Sequence, residues 1–178
     1  KSEQQVPKNL MVNTSNGNAS IYLFTDNSEE LIDLVIPETI SVENDYAITG
    51  YDFVVTKISA NAFNGKQNLR SVVMPATITS IGSYAFANCD NLTYIEITSS
   101  NVDVGSYAFG ISTDDAAYKK TVIINSEEMA KNLVASVLYV NPNTGLSDYG
   151  NLLVGVDSLY IKSSIVTLSD FIKTSFVR

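Results

Sequence analysis

The chain contains no histidine, no tryptophan and a single cysteine, Cys89, among its 178 residues. Without histidine, the commonest general base and the commonest metal ligand are both missing. Serine-histidine and cysteine-histidine mechanisms are therefore excluded. One cysteine can form no internal disulfide and offers no cluster of soft metal ligands. No run of about 18 apolar residues occurs, so no segment reads as a membrane-spanning helix. Positive charge is scarce as well: eleven basic residues stand against nineteen acidic ones, a net charge of -8. A phosphate backbone would be repelled, which argues against nucleic acid as a partner. The longest basic cluster, Lys119-Lys120, reads as an ordinary solvated pair. Glycine-rich phosphate loops of the Walker or dinucleotide type are missing too. The chain opens at Lys1 with no initiator methionine and no apolar signal core, as expected of a processed or trimmed protein whose targeting segment lies elsewhere.

What remains is apolar and repetitive. Hydrophobic residues make up 45% of the chain, enough for one core. The stretch "IGSYAFANCDNL" from Ile81 is partly restored as "VGSYAF" from Val104, and the steps from Phe63 to Phe86 and from Phe86 to Phe109 are both 23 residues. Laid over one another, "ISANAFNGKQNLRSVVMP" from Ile58 and "IGSYAFANCDNLTYIEIT" from Ile81 match at Ile58/Ile81, Ala62/Ala85, Phe63/Phe86, Asn68/Asn91, Leu69/Leu92, Val72/Ile95 and Met74/Ile97. All but the asparagines are apolar or small. A unit that cannot bury its own hydrophobic side does so by stacking on its neighbours, so matched ranks of this kind predict stacked coils.

"LIDLVIPETI" from Leu31 aligns with "LRSVVMPATI" from Leu69 at a spacing of 38, and the 15 extra residues fall between Ile40 and Ile58, where two short strands flank Asn44-Asp45. A further strand, "TVIIN", follows the loop "GISTDDAAYKK", giving about three coils in all. Leu69, Val72 and Met74, then Leu92, Ile95 and Ile97, place apolar residues at strand period. Their alternates point the other way. The return segment is too short for a long helix and predicts a helical turn or an extended arc around Ala85-Phe86, with Gly82 easing the bend.

The pattern Ile-Gly-x-x-Ala-Phe-x-x-Cys-x-x-Leu-x-x-Ile, with Pro37 and Pro75 after the strands, resembles the BspA-like leucine-rich repeats of bacterial surface proteins over residues 31 to about 125. Lys66 stands where that family often has cysteine. The resemblance implies an α/β fold, a leucine-rich-repeat solenoid of short parallel strands with helical-turn or extended returns. It also implies a secreted or cell-surface location and adhesion to host or bacterial proteins or glycoproteins.

The flanks read as closures of the stack. Asn16-Gly17 between two apolar runs predicts a hairpin, because both residues accept positive φ, and residues 1–30 are expected to form an N-terminal hairpin cap. Residues 31–125 carry the repeats with an insertion at about 41–57, and residues 126–178 form degenerate repeats and an irregular strand-helix cap. There, Ser126 before Glu127-Glu128 is a helix N-cap with an acidic first turn. Val122-Ile123-Ile124 is echoed by Leu159-Tyr160-Ile161 at a spacing of 37.

Little in the chain points to chemistry. The carboxylate pairs Glu29-Glu30, Asp114-Asp115 and Glu127-Glu128 are sequence neighbours that point apart, so none makes a glycosidase pair unaided. "DNSEE" from Asp26 lacks the glycine and the bidentate glutamate of a calcium loop. Cys89 reads as a small buried hydrophobe. Asn13, Asn18 and Asn91 meet the glycosylation pattern, but Asn91 falls in a rank expected indoors, bonding the backbone of its turn, and the other two read as turn residues. No enzyme activity, cofactor or metal is expected. The alternates of the core strands, Asp33, Val35, Arg70, Ser71, Val73, Tyr94, Glu96 and Thr121, form the expected binding strip, with Tyr94 as an exposed aromatic anchor. Tyr84 and Tyr107, equivalent by repeat, are expected to stack on the outer face. A spacer that presents another domain, without a ligand of its own, is the competing expectation.

Overall fold

A computed structural model of the chain describes residues 9–42, 51–111, 119–138 and 152–162. Asn16 and Gly17 take left-handed conformations, with φ of 49° and 78°, and turn strand β1 (Leu10–Ser15) antiparallel onto β2 (Asn18–Phe24). This is the hairpin that an Asn-Gly pair favours. Asn13 lies within β1 and not in a turn. The chain then alternates between two sheets. β3 (Ile32–Val35), β6 (Leu69–Met74), β8 (Tyr94–Ile97), β10 (Lys120–Ile124) and β11 (Val156–Ile161) are neighbours in that order in one wholly parallel sheet. β5 (Tyr51–Ile58), β7 (Ser80–Ile81) and β9 (Asp103–Val104) run parallel in the other, joined to the hairpin through β2.

The 23-residue spacing is the register of both sheets: Lys57 pairs with Ser80 and Ser80 with Asp103 in one, Ser71 with Tyr94 in the other. The described residues carry five ranks in the longer parallel sheet where the spacing reveals about three. The last one comes from the faint echo, since Val122 pairs with Leu159, Ile123 with Tyr160 and Ile124 with Ile161. Between Ile40 and Ile58 the insertion pairs β4 (Thr39–Val42) antiparallel with β5, while Asn44-Asp45 lies outside the described residues. At the other alignment with Leu69, a bulge after Ile32 sets Ile32 opposite Leu69, and Leu31 is left 49% exposed.

Between the two sheets sits the core. Phe24, Phe63 and Phe86 pack ring on ring with centroids 5.4 and 4.9 Å apart, flanked by the buried Ile58/Ile81 and Ala62/Ala85/Ala108 ranks. The returns are tight turns and not helices. They bond to one another through the backbone, as in Phe63 N–H to Ala85 O at 2.8 Å and Phe86 N–H to Ala108 O at 2.7 Å. In these arcs Asn61, Tyr84 and Tyr107 are left-handed, at φ of 60°, 59° and 56°, and so are Gly65 and Asn88 further along, at 76° and 54°. Gly82 therefore does not make the bend. A Cβ there would sit 2.3 Å from Ala60 N, and one on Gly105 would sit 2.4 Å from Ser83 N, so these glycines let one coil's backbone close on the next.

Helix α1 (Glu127–Leu138) starts as expected, with Met129 N–H donating to Ser126 Oγ at 3.3 Å. Residues 139–151 and everything after Lys162 lie outside the described residues.

Candidate functional site

Strand period sends alternate side chains of the five-stranded parallel sheet to opposite faces. Leu34, Val72, Ile95, Val122 and Leu159 point inward and are buried, as are Met74, Ile97, Ile124 and Ile161 one step on. Outward, the register lines up Asp33, Ser71, Tyr94, Thr121 and Ser158 in one row, and Val35, Val73, Glu96, Ile123 and Tyr160 in the next. Adjacent strands lie about 4.8 Å apart, so each row is a rigid line of side chains across the sheet. Seven of the eight expected strip residues fall in these rows. Arg70 precedes them on β6 and joins through Asp33. Ile123, Ser158, Tyr160 and Lys162 belong to the same face and were not singled out from the sequence, because only the spacing of 37 marks β11 as a rank of the stack.

Two bonded groups organise the charge. Arg70 Nε donates to Asp33 Oδ1 at 2.9 Å, Arg70 Nη2 reaches Asp33 Oδ2, and Ser71 Oγ donates to Asp33 Oδ1 at 2.7 Å. The Arg70 and then the Ser71 hydrogen bonds hold the Asp33 carboxyl well below the usual carboxylate range, and Asp33 in turn raises Arg70. Both side chains are about half exposed, so the pair fixes geometry more than it adds stability. On the other side, Lys162 Nζ donates to Glu96 Oε1 at 2.5 Å and the Tyr94 hydroxyl donates to Glu96 Oε2 at 3.0 Å. The bond from Lys162 holds the Glu96 carboxyl low against partial burial, with Tyr94 adding to it. Burial, and then the bond to Glu96, pushes the Tyr94 phenol up. Tyr94 is thus half-buried and engaged, where the sequence reading expects an exposed anchor.

Elsewhere the structure revises two local readings, of Lys120 and Asn91. Lys120 is 6% exposed, not solvated. Asn91 is exposed, but its amide ties the coil to its neighbour by donating to Gln67 O at 2.7 Å. Asn68 is the buried one of that rank, donating to Asp26 Oδ1 at 3.0 Å. Cys89 is buried and donates to Phe63 O at 3.0 Å, and burial pushes its thiol up to about 11. Tyr84 and Tyr107 stack with centroids 5.5 Å apart and an interplanar angle of 14°, Tyr84 being 39% exposed.

The strip's carboxylates are ionised and already bonded, and they stand on β3 and β8 with β6 between them. Such a surface can present shape and hydrogen-bonding groups. Among the described residues no group of three or more Asp, Glu, Cys or His could hold a metal ion, and no helix is long and apolar enough to cross a membrane.

Comparison with curated proteins gives no match. Among solved structures, the chain is similar to a leucine-rich repeat protein from Bacteroides capillosus, at 20% identity and a TM-score of 0.47, covering 82% of this chain and 88% of that one. It is also similar to a leucine rich cell surface protein from Faecalibacterium prausnitzii, at 26% identity and a TM-score of 0.41 over 67% of this chain. A leucine-rich repeat protein from Bacteroides ovatus matches at 17% identity and a TM-score of 0.39 over 68%. The chain covers 34% and 37% of the last two proteins. Residues 56–128 match the family model for the BspA type leucine rich repeat region, in 6 copies. Over those residues the chain is thus similar to leucine-rich repeats of the BspA type.

Proposed function

We propose that the chain is a non-catalytic, extracellular or cell-surface module that binds another protein or glycoprotein through the outward face of its parallel sheet. The observation that carries this reading is the pair of outward rows, with hydroxyls of Ser71, Tyr94, Thr121 and Ser158 in one and apolar groups of Val35, Val73, Ile123 and Tyr160 in the other. A fixed surface of mixed apolar and hydrogen-bonding groups loses little conformational freedom on binding, so more of its contact energy appears as affinity. The repeats then act as a short solenoid that supports this face, with the hairpin and the strand-helix segment closing its ends. Adhesion is the role the BspA-type repeat suggests for such a face.

A second reading is favoured by one specific feature. Arg70, Asp33, Glu96 and Lys162 satisfy one another, so the strip offers a partner few unpaired charges. That is the arrangement expected of a spacer that presents other parts of a longer protein. Binding of the purified chain to immobilised extracellular-matrix and bacterial-surface proteins, at two salt concentrations, separates the two. Saturable binding by one panel member supports the module, and uniformly flat traces remove it in favour of the spacer. Because the strip's charges are internally paired, the binding should weaken only modestly at the higher salt.

A further inference from the structure

An asparagine followed by glycine carries its own electrophile and nucleophile: the side-chain carbonyl carbon, and the next backbone nitrogen, which no Cβ shields. Both lie in one dipeptide, so ring closure between them is intramolecular. The chain has two such pairs, Asn16-Gly17 and Asn64-Gly65. The fold treats them in opposite ways.

At Asn64 every reacting group is held. Asn64 Nδ2 donates to Asn61 Oδ1 at 2.9 Å, and Asn64 Oδ1 accepts from Asn88 Nδ2 at 2.9 Å. Gly65 N–H donates to Ala87 O in the next coil, again at 2.9 Å. These bonds cross from one coil to the next, so the stack itself holds the dipeptide in place. At Asn16 nothing holds the reacting groups. Neither its side chain nor the Gly17 N–H has a hydrogen-bond partner among the described residues. Both residues are exposed at the tip of the β1–β2 hairpin, and no atom lies within 4 Å of where a Cβ on Gly17 would stand. Solvent base therefore has free access to the nitrogen.

We propose that Asn16 is a self-modification site. The Gly17 nitrogen gives up its proton to solvent base and bonds to Asn16 Cγ, the bond from Cγ to Nδ2 breaks, and the side-chain nitrogen leaves as ammonia with a proton from water. Water then opens the five-membered imide at one carbonyl or the other, leaving aspartate or isoaspartate at position 16. Either product adds one negative charge to a chain already at -8. The two differ in what they do to the hairpin. Aspartate keeps the length of the main chain and tolerates the left-handed φ of 49° held there. Isoaspartate routes the main chain through the side chain and makes the two-residue turn one carbon longer, so it no longer fits the register of the strands it joins. The tip is also docked, since Gly17 O accepts from Val54 N–H on β5 at 2.9 Å. Isoaspartate therefore loosens the hairpin and its seat on the coil beside it.

The test holds the whole chain, folded, at mildly alkaline pH and follows each asparagine by peptide mapping and mass spectrometry, with and without denaturing urea. In the folded chain Asn16 is expected to convert at least about tenfold faster than Asn64, because reaction at Asn64-Gly65 must first break three hydrogen bonds. In urea the two rates should converge. Equal rates in the folded chain, faster loss at Asn64 or no conversion at Asn16 would overturn the proposal. So would a difference that persists unchanged in urea, which would place its cause in the local sequence and not in the fold. The isoaspartate form, separated by ion exchange, is expected to melt a few degrees below Asn16→Asp. Identical melting of the two would overturn the consequence drawn for the hairpin.

Discussion

Phe86 shows how much of this chain is legible one residue at a time. It recurs with its neighbours at a fixed spacing, it is apolar, and it is fully buried against Phe63. Truncation to alanine is expected to cost about 3 to 5 kcal/mol in denaturant unfolding. Tyr84 stands two residues away but stacks on Tyr107 at the surface, so its truncation should cost about 1 kcal/mol. Equal losses would mean that the arc faces the other way. Gly82 was harder to read, because a glycine in a turn suggests positive φ. What it supplies is absence of bulk against the Ala60 backbone, a relation between coils that no local window contains. Gly82→Ala should therefore lower stability by about 3 kcal/mol or more through overpacking, and a neutral Gly82→Ala in thermal melting would contradict the close approach. Lys120 escaped notice for a similar reason: beside Lys119 it looks like half of a solvated pair, and only the fold buries it.

The strands were legible where the repeat is regular. β6 and β8 sit at the predicted spacing, with inward and outward residues as the alternation requires. β11 was visible only as an echo, because the segments around it vary in length while the stacking surface stays constant. So faint an echo did not mark Lys162 beside it, nor the bond that ties the fifth strand to Glu96 on the third. That bond has a pH signature. A carboxylate whose pKa is lowered on folding stabilises the folded chain fully above its unfolded value, about 4.3 for glutamate, and the contribution is lost as pH falls through the folded value. Glu96 is in this position. Melting temperatures measured from pH 7 to pH 3 should fall less steeply on the acid side for Glu96→Gln than for the parent, at a modest cost at pH 7. An acid limb as steep in Glu96→Gln as in the parent would remove Glu96 from the network.

At the scale of the whole molecule, stacking two sheets around ranks of identical side chains produces one face that is a core and another that is a surface. The sequence specifies the core face strongly, since each rank has to be apolar. It specifies the outer face weakly, since many side chains serve there. For that reason the strip could be located from alternation alone, while the internal pairing of its charges could not. The pairing also determines which substitutions are informative: changes at Tyr94, Arg70 or Glu96 break bonds within the strip, whereas Val35 and Thr121 have no such partners among the described residues. The most direct measurement is binding of the parent, of Val35→Lys/Thr121→Lys and of an outer-arc variant, Tyr84→Asn, to the same immobilised panel protein, with melting recorded for each. A loss of at least about tenfold for Val35→Lys/Thr121→Lys, equivalent to about 1.4 kcal/mol, with melting unchanged and Tyr84→Asn binding as the parent does, is the predicted result. Undiminished binding by Val35→Lys/Thr121→Lys, or a loss confined to Tyr84→Asn, would contradict the strand face as the binding surface.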